Sequence, residues 1–255
     1  MLTNPTLEKL QELRLSGMQN AYREQLEGTD YQSLTFDERI GFIVEREHTE
    51  RHNRRLETRL RKAKLRLNAT LEDIDYQARR GLDKTVMLSL AACEWVRQHH
   101  NLLITGPTGV GKTYLACAFG HKACREGFSV QYHRASRLFQ ELSVAKADGR
   151  YPKLMNALAK TEFLILDDWA TMVLTDENRR DLFEIVEDRY ETRSTLIAAQ
   201  IPLDHWHETI GDPTLADAIL DRLIHNAHKI TLKGESMRKK KTTTPATTDK
   251  GIASP

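Results

Sequence analysis

The chain has 255 residues, of which 40% are hydrophobic and 29% charged, with 38 Lys/Arg against 36 Asp/Glu. That is enough to bury a sizeable core in one or two domains, and no apolar run approaches the roughly 18 residues of a membrane span. The start, Met1 to Pro5, lacks the charged and apolar parts of a signal peptide, and Cys93, Cys117 and Cys124 form neither a close pair nor a metal pattern.

The net charge of +2 hides a segregation. Residues 1–66 carry +2, residues 67–228 carry −5 and residues 229–255 carry +5. Positive charge at both ends of an acidic middle suggests an acidic partner.

Asn4 before Pro5 is a helix start. Leu7, Leu10, Met18, Ala21, Tyr22 and Leu26 recur at helical spacing, with a break at Gly17. Thr35 and Glu38 form a capping box that opens a helix with Phe36, Ile40, Ile43 and Val44 on one face. The pattern resumes through Leu56, Leu60, Ala63 and Leu67. This last helix is basic: Arg51, Arg54, Arg55, Arg59, Arg61, Lys62, Lys64 and Arg66 face one acid, Glu57. A solvated face is the ordinary reading of surface charge. Eight cations with one acid repel one another, however, and phosphate neutralisation is the usual use of such a stripe. No helix-turn-helix or zinc-finger signature accompanies it, so base-specific readout is not implied.

A further helix is expected over Val86 to Val96. The stretch from Ile74 to Leu82, ahead of that helix, reads as ordinary core packing, with flanking an adenine as the alternative. The strand Leu102 to Ile104 then runs into Gly106-Pro107-Thr108-Gly109-Val110-Gly111-Lys112-Thr113-Tyr114, followed by an apolar helix. Strand, glycine loop and helix form a phosphate-binding P-loop. The glycines let backbone N–H groups face phosphate oxygens, and the helix N-terminus adds partial positive charge. Lys112 reaches the β- and γ-phosphates of ATP, and the Thr113 hydroxyl ligates Mg²⁺.

Phe128 to Tyr132 alternates as a strand, and Ser136 caps the next helix. Lys146 to Lys153 reads as a basic loop, exposed and a candidate nucleic-acid contact. Phe163 to Asp168 is an apolar strand ending in two carboxylates, a Walker B motif. Asp167 would hold Mg²⁺ and Asp168 would polarise the attacking water. Thr175 caps a helix. Thr195 to Ala199 is another apolar strand, followed by Gln200, placed to meet the γ-phosphate or the water. Pro213 opens a helix that carries Arg222, and Lys229 to Leu232 is the last strand. His205 and His207 have no partner at metal-ligand spacing. The Thr/Ala/Pro-rich end from Thr242 reads as disordered.

These motifs are similar to those of AAA+ ATPases in the initiator and helicase-loader branch, and more closely to the IstB-type transposition helper ATPases of insertion sequences. The resemblance is carried by Gly106 to Thr113, Leu164 to Trp169, Gln200 to Trp206, Ala218 to Leu223 and Gly234 to Arg238. It implies an α/β fold, a P-loop AAA+ core with a central five-stranded parallel sheet. The helical spacing read above puts a small all-helical N-terminal domain before it. Unlike in most AAA+ proteins, the 23 residues after Leu232 are expected to leave no room for a C-terminal helical lid. The expected domains are 1–67, basic and DNA-binding; 68–241, the ATPase; and 242–255, a disordered tail.

The resemblance also implies that Arg222 acts as an arginine finger toward a neighbouring subunit, and that Arg238 is a second arginine near the nucleotide. It implies a homo-oligomer, ring or helical, on duplex DNA, a transposase partner, and a bacterial cytoplasmic location. Three departures from the family pattern stand out: Asp168 where Glu is common, Ala199 where Ser is frequent, and Ala170 where Gly is frequent. A DnaC-like helicase loader and a P-loop small-molecule kinase are the alternatives. A GTPase is disfavoured by the lack of an Asn-Lys-x-Asp motif.

Overall fold

The computed structural model describes residues 4–78, 80–169 and 173–237. Arg238, Ala170 and the tail 242–255, each given a reading above, lie outside those residues. Contacts divide the chain into two units, Met1–Arg61 and Lys62–Pro255.

The first unit is helical. Helix α1 (Pro5–Glu12) starts on Asn4, whose side chain accepts the Thr6 N–H. Helices α2 (Ser16–Glu27) and α3 (Phe36–Ala63) follow. The reciprocal cap forms as expected: Thr35 N–H donates to Glu38 Oε2 at 2.8 Å and Glu38 N–H donates to Thr35 Oγ1 at 3.4 Å. The helix break falls before Gly17, where Arg14 turns at φ 57°. Gly17 lies inside α2, and a Cβ there would stand 2.7 Å from the Glu47 Cα, so its lack of a side chain lets α2 and α3 close. Of Phe36, Ile40, Ile43 and Val44, only Ile43 is buried. The expected apolar face is therefore largely exposed within this unit. Helix α3 stops at Ala63, and Lys64 turns the chain at φ 51°. Lys64 and Arg66 thus lie beyond the basic helix to which their spacing assigned them.

The second unit is α/β. It contains α4 (Lys84–Ala91), α5 (Glu94–Arg97), β1 (Asn101–Thr105), α6 (Lys112–Arg125), β2 (Val130–Arg134), α7 (Ala135–Ala147) and α8 (Tyr151–Lys160). Then come β3 (Phe163–Trp169), α9 (Asp176–Arg189), β4 (Ser194–Ala199), a short turn of 3-10 helix (Leu203–His205), α10 (Trp206–Ile210), α11 (Pro213–Ile224) and β5 (Ala227–Thr231). The sheet order is β2-β3-β4-β1-β5, with every pairing parallel. Strands β1 and β4 are buried at every position, the continuous apolar character a sheet covered on both faces requires. Side chains alternate between the faces. Leu103, Leu164, Leu166 and Ile197 join the cluster formed with α7, α8, α9, α10 and α11. Ile165 points the other way, onto Gly120 of α6.

Several local expectations shift. Strand β2 starts at Val130 rather than Phe128, because Gly127 and Phe128 complete the end of α6 by donating to the Cys124 and Ala123 carbonyls. Ser136 is not a cap: α7 leaves β2 directly, with Arg134 at the boundary and no side-chain capping bond. The Lys146 to Lys153 loop shrinks to residues 148–150, since α7 runs to Ala147 and α8 opens at Tyr151 with proline in its first turn. Val86 to Val96 is two helices, separated where Cys93 adopts φ 56°.

Arg189 anchors this unit. It is 1% exposed. Its guanidinium donates to the carbonyls of Leu158, Thr161 and Ser194 and to Thr195 Oγ1, joining α8, α9 and β4. Arg189→Met is expected to strand those carbonyls and cost about 3–5 kcal/mol of stability, read from the urea midpoint. A loss below about 1 kcal/mol would mean that the carbonyls find other donors.

Candidate nucleotide site

The P-loop joins β1 to α6 at the C-terminal edge of β1, an inner strand flanked by β4 and β5, where parallel α/β sheets bind ligands. Gly111 caps α6 in a left-handed conformation, aiming the helix N-terminus into the loop. Lys112 is buried, and its Nζ donates to the Gly106 and Pro107 carbonyls, each at 2.8 Å. The ammonium therefore lies inside the curve of the loop. Thr108 Oγ1 donates to Gln200 Oε1 at 2.8 Å, so the residue after β4 does meet the loop.

The loop is held from behind by residues after β5. Leu232 N–H donates to the Thr105 carbonyl at 2.8 Å, and Met237 N–H donates to the Gly109 carbonyl at 2.9 Å. A Cβ on Gly109 would stand 2.2 Å from Ser236 Oγ, and its φ of 85° also favours glycine. This glycine is thus required by the chain's own packing.

Asp167 is fully buried at the end of β3. Its Oδ2 accepts from Thr113 Oγ1 at 2.8 Å and from the Tyr132 hydroxyl at 2.6 Å. Its Oδ1 is buried with no hydrogen-bond partner among the described residues. An orphaned carboxylate oxygen beside the Thr113 hydroxyl fits a magnesium site, since Mg²⁺ takes few protein oxygens and shares the rest with phosphates and water. Among the described residues no cluster of three His, Cys, Asp or Glu could hold a metal by itself. Burial, then the bond to Asp167, pushes the Tyr132 phenol far up. A hydrogen bond with Tyr132 in turn holds the Arg66 guanidinium above its ordinary range.

Asp168 sits in a register shift of β3 between Leu166 and Trp169, at φ 55°. Its carboxylate turns toward Arg134, whose Nη2 and Nε lie 2.8 Å and 3.0 Å from Oδ2. Arg66 Nη1 lies 3.7 Å from the same oxygen. The structure therefore places Arg66 beside the Walker B carboxylates. Sequence reasoning missed Tyr132 and Arg134. Placed on β2, they are two apart and share one face.

Arg222 lies at the other end of the sheet. Its carbonyl accepts from Asn101 Nδ2 at 3.3 Å, and Asn101 begins the strand whose far end enters the P-loop. The guanidinium pairs with Glu187 and packs over the Phe183 and Tyr190 rings. The length of β1, about 16 Å at 3.3 Å per residue, keeps it from the P-loop of its own chain.

Among the α3 cations, Arg51 pairs with Glu47 and Arg54 with Glu50. Arg55, Arg59 and Arg61 have no ion-pair partner among the described residues, and a shallow groove of about 350 Å³ runs along Arg54, Arg55, Thr58 and Arg59. In the second unit, Lys64, Arg137, Arg150 and Lys153 line a groove of about 710 Å³ with Glu141.

A P-loop on a parallel sheet ordered β2-β3-β4-β1-β5, facing a Walker B carboxylate, defines the AAA+ class of P-loop proteins. Residues 8–245 match the profile of the IstB-like ATP binding proteins, and the chain belongs to that family. It is 51% identical over 239 residues to a putative insertion sequence ATP-binding protein of Sinorhizobium fredii, covering 94% of this chain and 98% of that one. It is 33% identical to the putative ATP-binding protein of insertion sequence IS21 from Pseudomonas aeruginosa, covering 96% of each. In fold it is similar to the DnaC helicase loader, with a TM-score of 0.54 at 21% identity over 67% of this chain and 100% of that one. DnaI superposes with a TM-score of 0.55 at 21% identity over 65% of this chain and 92% of that one. Among the described residues, no helix is long and apolar enough to cross a membrane.

Proposed function

We propose that this protein is an oligomerising, DNA-binding ATPase of the bacterial cytoplasm that assists transposition by assembling on target DNA and recruiting a transposase. The observation that carries the reading is the separation of Arg222 from its own P-loop by the length of β1. An arginine so placed serves hydrolysis only at a neighbour's nucleotide, so the active site is completed by assembly.

In this reading Lys112 binds the β- and γ-phosphates. Thr113 and Asp167 would hold Mg²⁺, which would neutralise charge on the phosphate oxygens. Asp168 takes the proton of the attacking water once its side chain leaves Arg134. Thr108 sets the direction of Gln200 toward the same water. The transposition role rests on family membership and on the α3 cations that have no ion-pair partner among the described residues.

Replacing Arg55, Arg59 and Arg61 with Ala is expected to weaken duplex binding at every sequence. The log–log salt slope should fall by up to about 3, one unit for each lost phosphate contact. Fluorescence anisotropy across a salt series checks this. An unchanged slope returns α3 to an ordinary solvated face.

A further inference from the structure

Two arginines of the second unit are buried without a carboxylate partner among the described residues, and they are not alike. Arg189 uses its donors on four acceptors. Arg80, only 6% exposed, has two: its Nη2 donates to the Asp75 carbonyl at 2.7 Å and its Nη1 to the Val110 carbonyl at 3.3 Å. Its Nε is buried with no partner among the described residues. A guanidinium offers five N–H donors, and burying a cation without a counter-charge is expensive. The sequence pattern of a P-loop contains no such residue.

The position of Arg80 says what would satisfy it. Nη1 lies 2.8 Å from where a Cβ of Gly111 would stand, directly on the loop ahead of Lys112. Two tyrosines accompany it. Burial raises the Tyr76 and Tyr114 phenols, and the charge of Arg80 acts on both in the opposite direction. Tyr114 follows the P-loop threonine and donates to the Thr70 carbonyl. Thr70 and Arg80 thus both lie against the loop and the start of its helix, and Arg80 has donors to spare.

We infer that Arg80 is a nucleotide-binding residue whose free N–H donors take a phosphate oxygen of the nucleotide held by Gly106 to Thr113. This rests on the reading of that loop as an ATP site. It adds a cation from outside the motif. The two carbonyl bonds hold the guanidinium in place, and the anion supplies the missing counter-charge.

The test is titration of the full-length protein with ADP and ATP, together with its melting temperature without nucleotide. Arg80→Met keeps the apolar stem and removes the charge. It is expected to weaken both nucleotides about ten- to a hundredfold, the worth of charge-assisted bonds. Without nucleotide its melting temperature should change little, because losing the unpaired buried charge offsets the two carbonyls left without a donor, against the four acceptors that Arg189 serves. Arg80→Lys should recover part of the affinity.

Wild-type affinity in Arg80→Met overturns the inference. So does a variant that loses several degrees of melting temperature without nucleotide, since that marks Arg80 as a brace of the loop. If Arg80→Met does not fold, the same two measurements on Arg80→Lys decide. Failure of the wild-type protein to bind nucleotide at all would instead refute the ATP reading itself.

Discussion

An Arg222→Ala protein and an Asp168→Asn protein, each inactive alone, should regain ATPase activity when mixed. The first retains an intact P-loop and Asp168; the second retains Arg222. Where the first presents its nucleotide to the second, one interface is complete. In a head-to-tail assembly, random mixing completes roughly a quarter of the interfaces. A finger supplied in trans is worth about 10³–10⁵ in rate, so even that fraction stands far above either parent. Steady-state phosphate release over a range of mixing ratios, with DNA present, measures it. The expected curve is bell-shaped, with its maximum near equal amounts. A flat line at every ratio would remove Arg222 from the chemistry and leave it as the partner of Glu187 that it is within one chain.

Lys112→Ala should abolish nucleotide binding and, with it, ATP-driven assembly on DNA. The ammonium lies over the Gly106 and Pro107 carbonyls, inside the loop, where it can transfer to phosphate oxygens with little movement. Two charge-assisted bonds at about 1.5–3 kcal/mol each correspond to roughly 10²–10⁴ in Kd. Titration with ATP reads the affinity, and electron microscopy with duplex DNA and a non-hydrolysable analogue reads the assembly. ATP-dependent oligomers of the variant would refute the assignment of the loop.

Much of the site is legible in the sequence because its chemistry is local. Gly106 to Thr113 needs particular residues at fixed spacing, and Asp167 ends an apolar strand where a buried acid needs a partner. Gln200 is found by its place after the apolar strand β4, and in the structure its amide oxygen accepts from Thr108. Other parts depend on the fold. Arg80 is 30 positions from Val110 in sequence, and no spacing rule connects them.

Arg134 and Tyr132 were within reach, since they fall on one face of β2 once the strand is shifted past the end of α6. The basic stripe misled in two ways. A count begun at residue 51 leaves out Glu47 and Glu50, the partners of Arg51 and Arg54 one turn earlier. Helical spacing also carried the stripe past Ala63, where Lys64 turns the chain and sends Arg66 to Asp168.

The bonds from Leu232 to Thr105 and from Met237 to Gly109 bear on how the protein is made. A chain is synthesised from its N-terminus and folds as it emerges. The loop of residues 106–113 leaves the ribosome long before β5, which pairs with β1, and before the residues that back it. Until then the loop has its sequence but lacks its support. Competence to hold nucleotide therefore arrives late in translation, after the basic helix α3 has already been released. On the proposed role of α3, the newborn protein would meet nucleic acid before it could answer to ATP.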